Sequence, residues 1–190
     1  SDVAELVFEN CKLPKNALLG EEEGKFQALM ETLIAARISH AIKSVGLASA
    51  AFEYALNYSK EREAFGRPIN KFQAISFKLA QMAVKIETAR LLGYKAAWLY
   101  DQGRPCVMEA SMAKLYSAEV VQWCASEGVQ VLGGYGYATE YDAERFYRDA
   151  KLSYLFLSSK NFILITGNKK HHCKYYWSCQ NSNVLKPCKN

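Results

Sequence analysis

Arg62 stands between Glu61 and Glu63, just ahead of Phe65-Gly66, where a glycine releases the backbone and a guanidinium can make two parallel hydrogen bonds to a phosphate. The competing reading is a surface ion pair with either glutamate. Phe65 suits either a plug over the end of a helical bundle or a ring laid against a ligand. Gln73 is polar beside an apolar stripe, so it needs a hydrogen-bond partner. Gln130 and Gly133-Gly134 join an amide to two residues without a Cβ, which admits a ligand close to backbone. Paired glycines at that place also serve as a plain helix stop. His171, His172, Cys173, Cys179 and Cys188 have poor zinc-ligand spacing and contain no C-x-x-C pair, so no metal site is expected.

The elements that must position these groups are helical. Ile34, Ile38, Ala41, Val45, Ala48, Phe52 and Ala55 step by four and three along a long helix from Phe26, which should end near Phe65-Gly66-Arg67-Pro68. Phe72, Ile75, Leu79, Met82, Ile86, Ala89, Gly93, Ala96 and Tyr100 repeat the pattern on a second helix. The tight Asp101–Pro105 link turns the chain antiparallel into a third helix carrying Met108, Met112, Leu115, Val120 and Trp123, stopped by Gly133-Gly134. A short helix over Ala143 to Asp149 and a helical or extended segment from Ala150 complete the body. Ahead of them Val3 to Lys12 fits a single strand, whose missing pairing partners place Ser1 at a cut within a larger protein. The expected fold is all-α: an antiparallel four-helix bundle with a short N-terminal strand remnant.

Half of the 190 residues are hydrophobic, enough for one domain with a sizeable core. Six of the 24 basic residues and none of the 19 acidic ones lie between Lys160 and Asn190. The body is therefore close to neutral, and the whole chain's formal charge of +5 gives no argument for nucleic acid. No apolar run reaches the ~20 residues of a membrane span. Cys11, Cys106 and Cys124 are scattered and read as reduced core or surface thiols.

Glu61-Arg62-Glu63-Ala64-Phe65-Gly66 followed by Phe72-Gln73-Ala74-Ile75 resembles the E-R-x-x-F-G and F-Q-x-I signature of acyl-CoA dehydrogenases. Met30-Glu31-Thr32-Leu33 leading to Arg37, then Ala113-Lys114-Leu115, Gln130 to Tyr137, and Glu144 to Lys151 follow in that family's order. The resemblance covers roughly residues 1 to 156. It implies that 1–24 end a middle β-domain and linker, that 25–159 form the C-terminal four-helix domain, and that 160–190 are a divergent basic tail. It further implies a homodimer or homotetramer with FAD near subunit interfaces, an acyl-CoA substrate, and an electron-transfer flavoprotein as acceptor. The matching reaction is α,β-dehydrogenation of an acyl-CoA thioester in fatty-acid or branched-chain amino-acid oxidation. Its setting is the mitochondrial matrix, or the cytoplasm of a bacterium. Carried over residue by residue, the resemblance assigns FAD to Arg62, Phe65, Gln73, Gln130, Gly133, Gly134 and Ser159, and the substrate to Arg37.

The departures matter as much. Ile34 stands where the family commonly has an Asp three residues before this Arg. After Arg148-Asp149-Ala150-Lys151 most members read I-x-x-I-Y-E-G-T, with the Glu as catalytic base, whereas this register gives Leu157. The alternative base position, just before Arg37, is Ala36. Neither side chain can take a proton, and general-base catalysis alone contributes ~10²- to 10⁴-fold. A change of reading frame near Leu155 would account for both the lost base and the odd tail. The expected function is an FAD-dependent acyl-CoA dehydrogenase represented by its inactive C-terminal half. The alternatives are a related flavin oxidase or monooxygenase, and a non-catalytic helical oligomerisation module.

Overall fold

The computed structural model describes residues 7–14, 17 and 25–155. Within them the chain is all-α: α1 (Lys25–Glu61), α2 (Gln73–Asp101), α3 (Val107–Leu132) and α4 (Asp142–Leu155). The one sheet among the described residues is a ladder of β1 (Glu63–Ala64) and β2 (Arg67–Pro68) between α1 and α2. Residues 7–14 run without strand structure, so the strand expected over Val3–Lys12 is not formed by its described part.

Cross-helix contacts fix the directions. Arg90 Nη2 donates to Ser49 Oγ at 3.4 Å and Gly93 faces Ile42, so α2 runs against α1. Lys78 pairs with Glu127, and Lys85 Nζ lies 5.0 Å from the centre of the Trp123 ring, so α3 reverses again. Tyr54 meets Phe146 edge-on at 5.9 Å while His40 Nε2 lies 3.4 Å from the Ser153 carbonyl, which sets α4 antiparallel to α1. Each helix therefore returns along the one before it, as short links require.

The apolar periodicity of α1 and α2 becomes core. Ile38, Ala41, Val45, Ala48 and Ala55 are buried on α1; Leu79, Met82, Ile86, Ala89, Gly93 and Ala96 are buried on α2. Leu99, not Tyr100, closes the α2 stripe, and Tyr100 is exposed. On α3 the apolar residues noted in the sequence divide. Val120 is buried, Met112, Leu115 and Trp123 are half-buried and Met108 is exposed, while Ala110, Ala113, Ser117, Val121, Cys124, Ala125 and Gly128 are buried. The reason is that α3 touches all three other helices, so small residues occupy its crowded faces and bulky ones move to the margins. The segment from Ala150, open between helix and extended chain in the sequence, continues α4 without a break to Leu155.

Cys106 and Cys124 are buried free thiols and Cys11 is an exposed one. Burial pushes the Cys124 thiol up to about 12, which keeps it protonated and unreactive. No helix among the described residues is long and apolar enough to cross a membrane, and none of their His, Cys, Asp and Glu side chains gather into a metal-binding group.

Candidate cofactor site

The turn between β1 and β2 is built from local sterics. Glu63 pairs with Pro68 and Ala64 with Arg67, leaving Phe65-Gly66 as a two-residue loop. Both loop residues have positive φ, 52° and 78°, the conformation that lets a tight turn follow the right-handed twist of its strands. Gly66 adopts it freely, whereas Phe65 carries a Cβ into the left-handed region at a cost of ~1–2 kcal/mol. Phe65 is also 95% exposed, touching Phe72 only edge-on at 6.1 Å. A large ring held outward in a strained conformation is a ligand-contact candidate, not the bundle plug that the sequence also allowed. Arg67 caps the arrangement, its Cζ 4.2 Å from the centre of the Phe72 ring.

Arg62 sits where α1 meets this hairpin. Its N–H donates to the Tyr58 carbonyl at 2.8 Å and its carbonyl accepts from Ile69 N–H at 2.9 Å, so the backbone there is pinned on both sides. Neither Glu61 nor Glu63 forms an ion pair with its guanidinium; the described ion pairs lie elsewhere. Instead Arg62 Cζ lies 5.7 Å from the centre of the Tyr135 ring. Tyr135 follows Gly133-Gly134 directly, so the guanidinium and the paired glycines meet at one end of the bundle.

That meeting depends on how α3 ends. Gly133 adopts φ 64° with ψ −137°, a conformation open to a residue without a Cβ, and the chain turns through a 3-10 segment over Gly133–Tyr137. A Cβ built on Gly133 or Gly134 would meet nothing within 4 Å, so both glycines face open space. Gln130 and Gln73 are exposed at the same end, one near the close of α3 and the other opening α2. The hydrogen-bond partner that Gln73 was expected to need is not demanded by burial, because its side chain is in solvent.

Arg37 is not part of this cluster. It lies roughly 35 Å away along α1 at the rise of an ideal helix. Its side chain is 7% exposed, near Lys114, the bulkiest fully buried side chain. Burial lowers the Arg37 pKa; burial and then the Arg37 charge lower that of Lys114. His40, one turn along α1, is likewise held below its ordinary value, first by burial, which its contact with the Ser153 carbonyl opposes, and then by the weaker effects of Lys114 and Lys43. Ala36 is half-buried beside Arg37. Leu157 and Ser159 lie outside the described residues, but the antiparallel course of α4 brings its end to His40 and so to this same end of α1.

Sequence reasoning gave no role to Tyr58, Tyr135, Tyr141, His40 or Lys114. Tyr58 was legible in principle, standing four residues before Arg62 and so on the same helix face. Burial raises its phenol above the usual range, Arg62 opposes this, and Tyr141 and Tyr135 add to it, so all four side chains share one neighbourhood.

The profile of the acyl-CoA dehydrogenase C-terminal domain matches residues 25–157. The chain belongs to the acyl-CoA dehydrogenase family. It is 45% identical over 170 residues to the human mitochondrial short-chain specific acyl-CoA dehydrogenase, a match covering 88% of this chain and 41% of that relative. Its fold superposes on butyryl-CoA dehydrogenase from Megasphaera elsdenii with a TM-score of 0.77 and 45% identity, over 79% of this chain and 39% of the other. An acyl-CoA dehydrogenase from Bacillus anthracis complexed with FAD gives a TM-score of 0.74 at 30% identity, over 79% of this chain and 29% of its own. The chain thus spans about two fifths of the length of the curated relative it matches, and what it shares with the family is the C-terminal helical domain.

Proposed function

We propose that this chain is the C-terminal helical half of an FAD-dependent acyl-CoA dehydrogenase, with residues 25–159 as its cofactor-binding domain, 1–24 as the end of a β-domain and linker, and 160–190 as a divergent tail. The observation that carries the reading is Arg62, without a carboxylate partner among the described residues and lodged against Tyr135 beside Gly133-Gly134. The groups fit a dinucleotide. A planar guanidinium suits a pyrophosphate, two glycines in open space admit an adenosine close to backbone, and an outward ring offers a surface to a flavin.

In this reading Arg62 binds the pyrophosphate, Phe65 lies along the flavin nucleotide and Gln73 hydrogen-bonds the cofactor. Gln130, Gly133 and Gly134 hold the adenosine end beside Arg62, near a subunit interface, and Ser159 completes the set. Arg37 lies on the substrate side. FAD, when bound, supplies the hydride acceptor for the β hydrogen of an acyl-CoA thioester. What the chain itself must supply is a carboxylate for the α proton, and Leu157 and Ala36 cannot do so. Ala36 stands one turn before His40 on α1, and the described part of α4 closes near His40. That convergence supports a shared substrate end, opposite the one that Arg62 occupies.

The wider protein is read as a homodimer or homotetramer passing electrons to an electron-transfer flavoprotein, in the mitochondrial matrix or in bacterial cytoplasm. Phe77, Val84, Leu91 and Trp98 support the assembly: they recur every seventh residue along α2 and are more than half exposed.

Titration of the chain with FAD, followed by flavin fluorescence, tests the reading. Loss of charged hydrogen bonds predicts that Arg62→Ala weakens binding by about 10- to 100-fold, and an unchanged affinity refutes the assignment. The chain as it stands should turn over no butyryl- to octanoyl-CoA with a ferricenium acceptor. Heat-labile turnover would show that a base has been overlooked.

A further inference from the structure

Arg62 is a long exposed side chain whose bracing is unusual. The two glutamates beside it in sequence do not hold it, and no described residue accepts a hydrogen bond from its guanidinium. An unheld arginine carries ~2 kcal/mol of rotamer freedom that binding an anion would have to remove. Its guanidinium lies over the ring of Tyr135, 5.7 Å from its centre. That ring, half exposed, has a partner of its own. It packs against Tyr141 at 5.4 Å with the planes tilted 46°, and the intervening turn is closed by Ala138 N–H to the Tyr135 carbonyl at 3.2 Å and Tyr141 N–H to the Ala138 carbonyl at 3.1 Å. Tyr58, one helical turn ahead of Arg62, borders the same group.

We propose that Tyr135 is a positioning residue for the diphosphate grip: its ring, braced by Tyr141, holds the Arg62 guanidinium beside the open backbone of Gly133 and Gly134. The inference rests on the cofactor reading above. Its physical logic is that an aromatic ring attracts a guanidinium without accepting its N–H hydrogen bonds as a carboxylate would, so those donors stay available for two oxygen atoms. Tyr135 thereby orders the arginine before the anion arrives without competing for the same donors, as Glu61 or Glu63 would. The phenol hydroxyl has no part in this, so phenylalanine should serve equally.

The test combines Tyr135→Ala and Tyr135→Phe with Arg62→Ala, using FAD as the probe and flavin fluorescence as the readout. A cation–π contact at an exposed site predicts about a two- to five-fold loss of FAD affinity in Tyr135→Ala, none in Tyr135→Phe, and no further loss when Tyr135→Ala is added to Arg62→Ala. In the free protein, the Arg62 Nε–H proton should show a ring-current shift that Tyr135→Ala abolishes and Tyr135→Phe keeps. Should Tyr135→Ala weaken FAD as much without Arg62 as with it, the ring acts as packing and the proposal fails. If Tyr135→Ala binds like the parent while Arg62→Ala is weakened, this proposal alone fails. If Arg62→Ala changes nothing, or FAD does not bind at all, the cofactor reading falls and takes the proposal with it.

Discussion

Gly134 and Gly136 lie in the same short turn and are required for different reasons. A Cβ on Gly136 would come 2.7 Å from the Val129 carbonyl oxygen, 2.9 Å from Val129 Cα and 3.0 Å from Leu132 Cβ, a clash with backbone that no rotamer relieves. Gly136→Ala should therefore cost about 1–3 kcal/mol, measured by urea unfolding. Gly134→Ala meets open space and should change stability by less than about 0.5 kcal/mol while lowering affinity for FAD. His40 gives a second prediction at this scale. Burial, aided by Lys114 and Lys43 and opposed by the Ser153 contact, holds its folded pKa below the unfolded value of about 6.5. The unfolded chain then binds the proton more readily, so stability is lost as pH falls below about 6.5 toward the folded value. Urea midpoints should drop between pH 7.5 and 5.5, and His40→Gln should flatten that drop.

At the scale of elements, the hairpin between α1 and α2 was readable as a stop but not as a sheet. Gly66 and Pro68 mark the end of a helix in any sequence, whereas the two-residue ladder that lifts Phe65 outward is set by its φ of 52°. The α2 stripe was legible almost residue by residue because one face of that helix is buried and the other exposed. Met82 sits at its centre, fully buried among α1 and α3 residues. Met82→Ala should cost about 2–5 kcal/mol, read from thermal or urea unfolding. The large apolar residues of α3 were a poorer guide to burial for the opposite reason: with neighbours on three sides, no single period separates inside from outside. There, size decides, and alanine, serine and glycine take the close contacts.

At the scale of the whole molecule, the alternating course of the helices sorts the functional groups. Arg62, Gln73, Gln130 and Gly133-Gly134 gather at one end, and Arg37, His40 and the close of α4 at the other. The sorting follows from connectivity, since the close of α1, the start of α2 and the close of α3 must share an end. The exposed face of α2 is the remaining feature at this scale. If it is an interface between copies, Leu91→Glu with Trp98→Glu should lower the mass found by analytical ultracentrifugation while leaving the helical circular dichroism intact. A parent chain that sediments as a monomer would remove the basis for the assembly.

The sequence by itself determined where the helices lie, where glycine ends them, which family the motifs resemble and that positions 157 and 36 offer no base. These are readings of local chemistry: a helical period, a backbone angle or the absence of a carboxylate is complete within its own segment. Only the tertiary structure decided which side of α3 is buried, that Arg37 turns inward near Lys114, and that Arg62 passes over two adjacent glutamates for a tyrosine far along the chain. A central helix has its faces assigned by its neighbours, and a long flexible cation has its contact chosen by whatever the packing brings within reach. Neither choice is encoded within a single segment.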